Sequence, residues 1–166
     1  MDKEQAVGED YHHHMQIPWQ DFVEDDNVTP AKEAPLVERS MIVGRVGLMI
    51  LACGTGSWRV RDSMNVVARN LGMTCSADIG LVSIEYTCID DNHSYTQAIS
   101  LPTTGVNTTR LNALEKFVKE IERGKREWTI AEIDHRLTEI ERMKGNYRPY
   151  QVGLAAALAC SAFVFL

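Results

Sequence analysis

Residues 151–166 of this chain contain no Asp, Glu, Lys, Arg or His. An α-helix that crosses a hydrocarbon core of about 30 Å needs about 20 apolar residues at about 1.5 Å rise per residue. The apolar run is a few residues shorter, so the sequence predicts the start of a transmembrane helix, truncated before its end, over residues 149–166. A buried C-terminal helix is the alternative. It is less favoured because Phe163–Leu166, in a soluble protein, would expose apolar area without a partner.

The N-terminus lacks the apolar segment of a secretory signal peptide, because residues 1–26 are acidic and contain no apolar core. Basic residues precede the apolar run instead, at Arg142, Lys144 and Arg148. Lys and Arg that flank a membrane span stay on the cytoplasmic side. These observations predict a protein of the cell (inner or plasma) membrane whose N-terminal domain is cytoplasmic.

No basic patch is large enough to indicate a nucleic-acid partner. The net charge of −6 arises in residues 1–35, which hold nine acidic and two basic side chains and leave the remainder at about +1. Residues 1–34 also show little periodic hydrophobicity, and such a composition buries too little apolar surface to offset the entropy of ordering. A disordered acidic tail is therefore predicted there.

The cysteines and histidines form no pattern that predicts a reactive site, and the three adjacent histidines, His12–His14, lie in the predicted disordered tail without a fixed geometry. The four cysteines are Cys53, Cys75, Cys88 and Cys160. None forms a C-x-x-C pair, and in a reducing cytosol all four are interpreted as packing residues. His93 and His135 accompany no Gly-x-Ser-x-Gly elbow. We therefore predict no catalytic residue, no metal site, no cofactor and no enzymatic activity.

The chain does contain regular hydrophobic periodicity between residues 35 and 148, which predicts a cytosolic α+β domain. Apolar residues recur at three- and four-residue steps in four segments. The predicted helices run from Pro35 to about Cys53, from Trp58 to Leu71, from Asn107 or Thr108 to Gly124, and from Thr129 onward. Alternating residues before and after the turn 90–93 predict an antiparallel hairpin, with residues 73–76 as an optional third strand. The predicted order is helix, helix, strands, helix, helix, then the transmembrane segment.

The segment Gly54–Gly72, GTGSWRVRDSMNVVARNLG, resembles the hallmark segment of the threonine/serine exporter family. The family pattern is approximately a small-residue turn, an aromatic residue, Arg-Val, two charged residues, a small residue and Met, and finally Leu-Gly. Arg61 departs from it, since an acidic residue is expected there. The resemblance continues at residues 110–112, 120–124 and 137–140 and covers about residues 36–166.

The resemblance implies a cytosolic domain that precedes a multi-helix membrane region, which is sometimes split over two polypeptides. It implies export of threonine and serine driven by the proton motive force. The implied partners are the lipid bilayer and the remaining transmembrane region or a partner membrane subunit. The domain itself would have an accessory role in gating, assembly or sensing.

Trp58, Arg59 and Asp62 are the candidates for a cytosolic recognition surface that binds substrate. The alternative is structural: Arg59 and Asp62 pair at i and i+3 while Trp58 packs. Two other classes of protein stay open as well. One is a tail-anchored cytosolic enzyme or ligand-binding module, and the other is a soluble oligomer whose terminal helix packs against its copies.

Overall fold

The computed structural model describes residue 19 and residues 29–91, 93–101, 104–143 and 149–164. The elements are α1 (Leu36–Ala52), α2 (Ser57–Asn70), β1 (Thr74–Ile79), β2 (Ser83–Asp90), β3 (His93–Ser100), α3 (Thr108–Glu122), α4 (Ile130–Glu141) and α5 (Pro149–Val164). This order confirms the predicted α+β fold. Most of the predicted acidic tail lies outside the described residues, but Ala31 and Ala34 at its end are buried.

Helix α1 is the centre of the fold, and its residues 39–51 are all buried. It contacts β2 and β3 on one side and α2, α3 and α4 on the others. Two glycines allow this close packing. A Cβ on Gly44 would lie 2.6 Å from Tyr86 Cζ, and one on Gly47 would lie 2.5 Å from Met64 Sδ. The missing side chains therefore set how closely α1 approaches β2 and α2.

The sheet is an antiparallel meander in the order β1–β2–β3. Along β2, Ile84, Tyr86 and Cys88 are buried and alternate with more exposed residues, as expected for a strand with one face on the core. The predicted hairpin is present, but β1 is longer than the optional strand 73–76 and pairs with β2 over its whole length. The sequence of β1 shows little hydrophobic alternation, because most of its residues are small or polar and none is more than half-buried.

Helix α3 contacts α1 and α2, and α4 contacts α1 and α3, rather than the sheet, so α1 and α2 form the middle layer. Both outer helices begin at the predicted caps. The side chain of Asn107 accepts a hydrogen bond from the backbone N–H of Arg110. At α4, Thr129 and Glu132 form a reciprocal capping box, in which each side chain accepts the other residue's backbone N–H.

The predicted membrane segment coincides with α5, which contains no charged residue and is mostly apolar after Gln151. Its described side chains, 153–158, 160 and 161, are all exposed. Leu154 and Leu158 retain 63% and 65% of their accessible surface, so this helix is not the buried C-terminal helix of the alternative interpretation. Within the described ranges, no helix combines the length and the apolar character that crossing a membrane requires.

Candidate functional site

The candidate residues Trp58, Arg59 and Asp62 lie in the first two turns of α2, directly after a tight reversal of the chain. Gly54 has a φ of +72°, a left-handed conformation that glycine adopts without steric cost. It ends α1, and α2 begins after Gly56, whose extended backbone precedes Ser57. The reversal places the N-terminus of α2 beside the C-terminus of α1.

Trp58 is an exposed aromatic side chain that retains 66% of its accessible surface. The guanidinium of Arg59 lies 5.2 Å from the centre of its ring, within the range of a cation–π contact. The structure therefore brings two of the three candidates together. The structural alternative had two parts: Trp58 packs into the domain, and Arg59 pairs with Asp62. The exposure of Trp58 excludes the first part.

The second part of that alternative, an ion pair between Arg59 and Asp62, is absent from the described residues. Arg59 instead forms an ion pair between two helices. Arg59 Nη1 lies 3.3 Å from Glu115 Oε1 on α3. Asp62 is exposed and has no ion-pair partner among the residues that the structure describes. Arg59 thus links α2 to α3, and Asp62 stays available at the surface.

Arg61, which departs from the family pattern, has a structural role. Its Nε donates a hydrogen bond of 3.2 Å to the carbonyl oxygen of Ala77 on β1. An acidic side chain could not donate this bond. The contact also shows that β1, running antiparallel to α2, returns to the end of the domain where α2 begins.

Three connections meet at this end of the domain, which we call the loop end. They are the α1–α2 turn, the β1–β2 turn at residues 80–82, and the β3–α3 connection at residues 104–107. The backbone N–H of Gly105 donates to Ala52 at the end of α1, with 3.1 Å between nitrogen and oxygen. Val106 lies against Gly54. Leu81 and Val106 retain 87% and 84% of their accessible surface, so apolar side chains are exposed on all three connections or directly beside them.

The chain leaves the domain toward α5 at the same loop end. Arg110, in the first turn of α3, donates from Nη2 to the carbonyl oxygen of Glu141 at 2.6 Å and to that of Met143 at 3.3 Å. These two carbonyls belong to the last turn of α4 and the residues after it. Arg110 therefore fixes the exit of the chain next to the N-terminus of α3.

A cluster of ion pairs around the buried Arg45 was missed at the sequence level, although Arg45 was visible as the one charge inside an apolar helical run. Its guanidinium is buried and forms ion pairs with Asp134 and Glu141, and it donates to Thr138 Oγ1 at 3.0 Å. All three partners lie on α4. Arg45 also lies 5.9 Å from the ring of Trp19. The cluster joins the central helix to the helix that leads toward α5.

The cysteines only partly follow the packing interpretation. Cys53 and Cys88 are buried, whereas Cys75 is half-buried and Cys160 is exposed. Cys75 and Cys88 are direct partners in the β1–β2 register. A hydrogen bond from the Cys75 thiol is the largest cause that lowers the pKa of Cys88, while the same bond raises the pKa of Cys75. Proximity to Arg39 adds to the lowering at Cys88.

No reactive constellation accompanies these features in the described part of the chain. His93 and His135 are both exposed, and the nearest carboxylate oxygen to His135 Nδ1 is that of Glu139 at 3.9 Å. Among the described residues, no group of three or more His, Cys, Asp or Glu side chains could hold a metal ion.

The comparisons with known proteins identify the family. No curated protein and no solved structure gives a significant match to the chain. A family model, ThrE, described as "Putative threonine/serine exporter", matches residues 41–166. The match includes α2 and its turn, the sheet, the outer helices and α5, which is more than half of the chain. The chain therefore belongs to the threonine/serine exporter family.

Proposed function

We propose that this chain is the N-terminal cytosolic portion of a membrane exporter that moves threonine and serine out of the cell, driven by the proton motive force. Membership of the exporter family is the observation that carries this proposal. In it, residues 149–166 begin the first transmembrane helix. The remaining transmembrane helices belong to the same polypeptide or to a partner membrane subunit.

Two features of the chain support a membrane location for α5. Its described side chains are exposed on the domain as it stands, so the helix needs an apolar environment from elsewhere. The basic residues Arg142, Lys144 and Arg148 precede it. Since Lys and Arg near a span favour the cytoplasmic side, the domain before α5 would lie in the cytosol.

The role of the domain itself is accessory in this proposal. Translocation of a polar amino acid requires polar groups near the middle of the bilayer, and after Gln151 α5 offers only apolar and small side chains with Cys160 and Ser161. The domain would act by gating, assembly or sensing, with Trp58, Arg59 and Asp62 as its recognition surface. It acts as part of a transporter and not as an enzyme.

The proposal is tested by following threonine efflux from cells loaded with threonine-containing peptides. Cells that make the complete exporter should clear intracellular threonine faster than cells without it, and a protonophore should abolish the difference. Leucine, measured in parallel from leucine-containing peptides, controls for general leakage. Equal threonine clearance with and without the protein would reject the export function and favour a tail-anchored enzyme or ligand-binding module.

A further inference from the structure

We infer that the loop end of the domain docks on the bilayer surface, with Trp58, Leu81 and Val106 inserted at the lipid interface. These three side chains are named the apolar tips. The inference rests on the proposed function, because α5 is taken as a membrane helix. The lipid bilayer is then the partner of the surface that contains Trp58.

The first argument is the convergence of the apolar tips. Each belongs to a different part of the chain, and each retains at least 66% of its accessible surface. Single exposed apolar residues are common on soluble proteins, but three large ones at one end of a domain indicate an interaction surface. Side chains of a helix tilt toward its N-terminus, so Trp58 leans toward the loop end from the second residue of α2.

The second argument is the length of chain between the domain and α5. Arg110 holds the backbone of Met143 at the loop end, and α5 begins at Pro149. The chain between these two residues spans about 20 Å at most, because extended chain covers about 3.3–3.6 Å per residue. With α5 in the bilayer, the loop end is therefore the part of the domain that the chain holds near the membrane surface.

The third argument is chemical. Tryptophan is enriched at membrane–water interfaces, where its ring is buried in part and its N–H stays near water. The cation next to it, Arg59, suits the polar side of the same interface. Its ion pair with Glu115 leaves the charge of this region mixed. The docking is accordingly expected to depend on apolar contact and only weakly on salt.

The test uses the full chain reconstituted in vesicles of phosphatidylcholine and phosphatidylglycerol. A fraction of the lipid carries a doxyl quencher next to the headgroup. Trp19 and Trp128 also fluoresce, so the signal of Trp58 is the difference between the wild type and Trp58→Phe. Docking predicts that the wild-type emission is quenched and that Trp58→Phe loses most of that quenching.

Two further variants in the Trp58→Phe background make the test specific to the loop end. Leu81→Trp should restore quenching, because Leu81 is one of the apolar tips. Val37→Trp is the matched control: Val37 is also exposed, at 43%, but lies in the first turn of α1, at the opposite end of the domain. It should stay unquenched, and equal quenching of both probes would overturn the inference in favour of unspecific adsorption.

A probe on α5 separates the failure of docking from the failure of the proposed function. Leu158→Trp in the same background should be quenched by a doxyl group deep in the acyl chains if α5 enters the bilayer. Quenching of this probe without quenching of Trp58 and Leu81→Trp would overturn the docking and leave the membrane helix standing. An unquenched Leu158→Trp would reject the membrane role of α5 itself.

A protein partner would give a different result. If the emission of Trp58 shifts to the blue only when the remaining membrane region is co-reconstituted, and doxyl lipid still fails to quench it, the loop end binds polypeptide. That outcome would also overturn docking on lipid.

Discussion

Arg59 is the candidate residue whose contacts are easiest to remove without damage to the core. Its side chain is 40% exposed, and its contacts are the Trp58 ring and Glu115. In the complete exporter, Arg59→Ala should slow threonine efflux if this surface couples the domain to transport. An exposed ion pair contributes only about 0–1 kcal/mol, so protein level and thermal stability should change little.

Arg136→Ala is the matched control for this efflux measurement. Arg136 is also an exposed arginine in an ion pair, with Glu139 on the same helix, but it lies away from the α2 N-terminus. Its variant should export threonine like the wild type. Unchanged efflux in Arg59→Ala at equal protein level would remove Arg59 from the recognition surface.

Gly44 and Gly47 are a pair of central-helix residues for which the structure predicts different effects of alanine. A Cβ on Gly44 would lie 2.6 Å from Cζ and 2.8 Å from Cε1 of Tyr86. That ring is buried and its hydroxyl donates to Gln97 at 2.8 Å. Overpacking costs about 1–3 kcal/mol, and the better helix propensity of alanine returns only about 1 kcal/mol. Gly44→Ala should therefore lower the free energy of unfolding by up to about 2 kcal/mol.

Gly47→Ala serves as the comparison, because its Cβ would meet the Met64 thioether at 2.5 Å, and methionine has three rotatable bonds with which to move aside. Urea unfolding of the full chain in detergent micelles, followed by near-UV circular dichroism, should show a larger loss for Gly44→Ala than for Gly47→Ala. Equal stability of the two variants would mean that the Tyr86 ring shifts as readily as Met64.

At the level of elements, the helices were predictable because each carries its own local signals. The Thr129–Glu132 box and the Asn107 cap are short-range patterns, and the structure shows both. The length of β1 was not predictable, since its pairing depends on β2 and its own residues are small and polar. Arg45 stood out in the sequence, but its partners lie about 90 residues later in the chain, and no local pattern connects them.

The α4 capping box makes helix stability depend on pH through Glu132. The carboxylate accepts the Thr129 N–H at 3.1 Å and pairs with Arg126, and the hydrogen bond with Arg126 is the largest cause that lowers its pKa. The lowered pKa means that the carboxylate stabilises the fold at neutral pH. This stabilisation is complete above the ordinary Glu pKa of 4.5, which applies to the unfolded chain. It is lost as the pH falls from that value through the lowered pKa of the folded protein.

Glu132→Gln should therefore lower the urea midpoint at pH 7, and its difference from the wild type should shrink in acid. Thr129→Ala removes the other half of the box and should cost about 1 kcal/mol. Glu122→Gln, an exposed glutamate on α3, controls for the general effect of losing a negative charge. If the urea midpoints of Glu132→Gln and the wild type differed by the same amount at neutral and acid pH, the Glu132 carboxylate would not be the source of the pH dependence.

At the scale of the whole molecule, the domain and α5 divide the apolar residues between two environments. The buried core lies within residues 31–140 and combines the inner face of the sheet with α1, α2, α3 and α4. The described side chains of α5 contribute nothing to it. This division agrees with a domain that is complete without α5 and a helix that is suited to lipid.

Removal of residues 149–166 should accordingly yield a domain that stays in solution without detergent. It should show a mixed helix and strand signal in far-UV circular dichroism and unfold cooperatively in urea, because no described core side chain is lost. Removal of residues 130–166 is the matched control. That deletion also takes Ile133, Leu137 and Ile140, which are buried in the core, and it should abolish cooperative unfolding. If the protein that lacks only residues 149–166 also came out unfolded, α5 would belong to the core of the domain and not to the membrane.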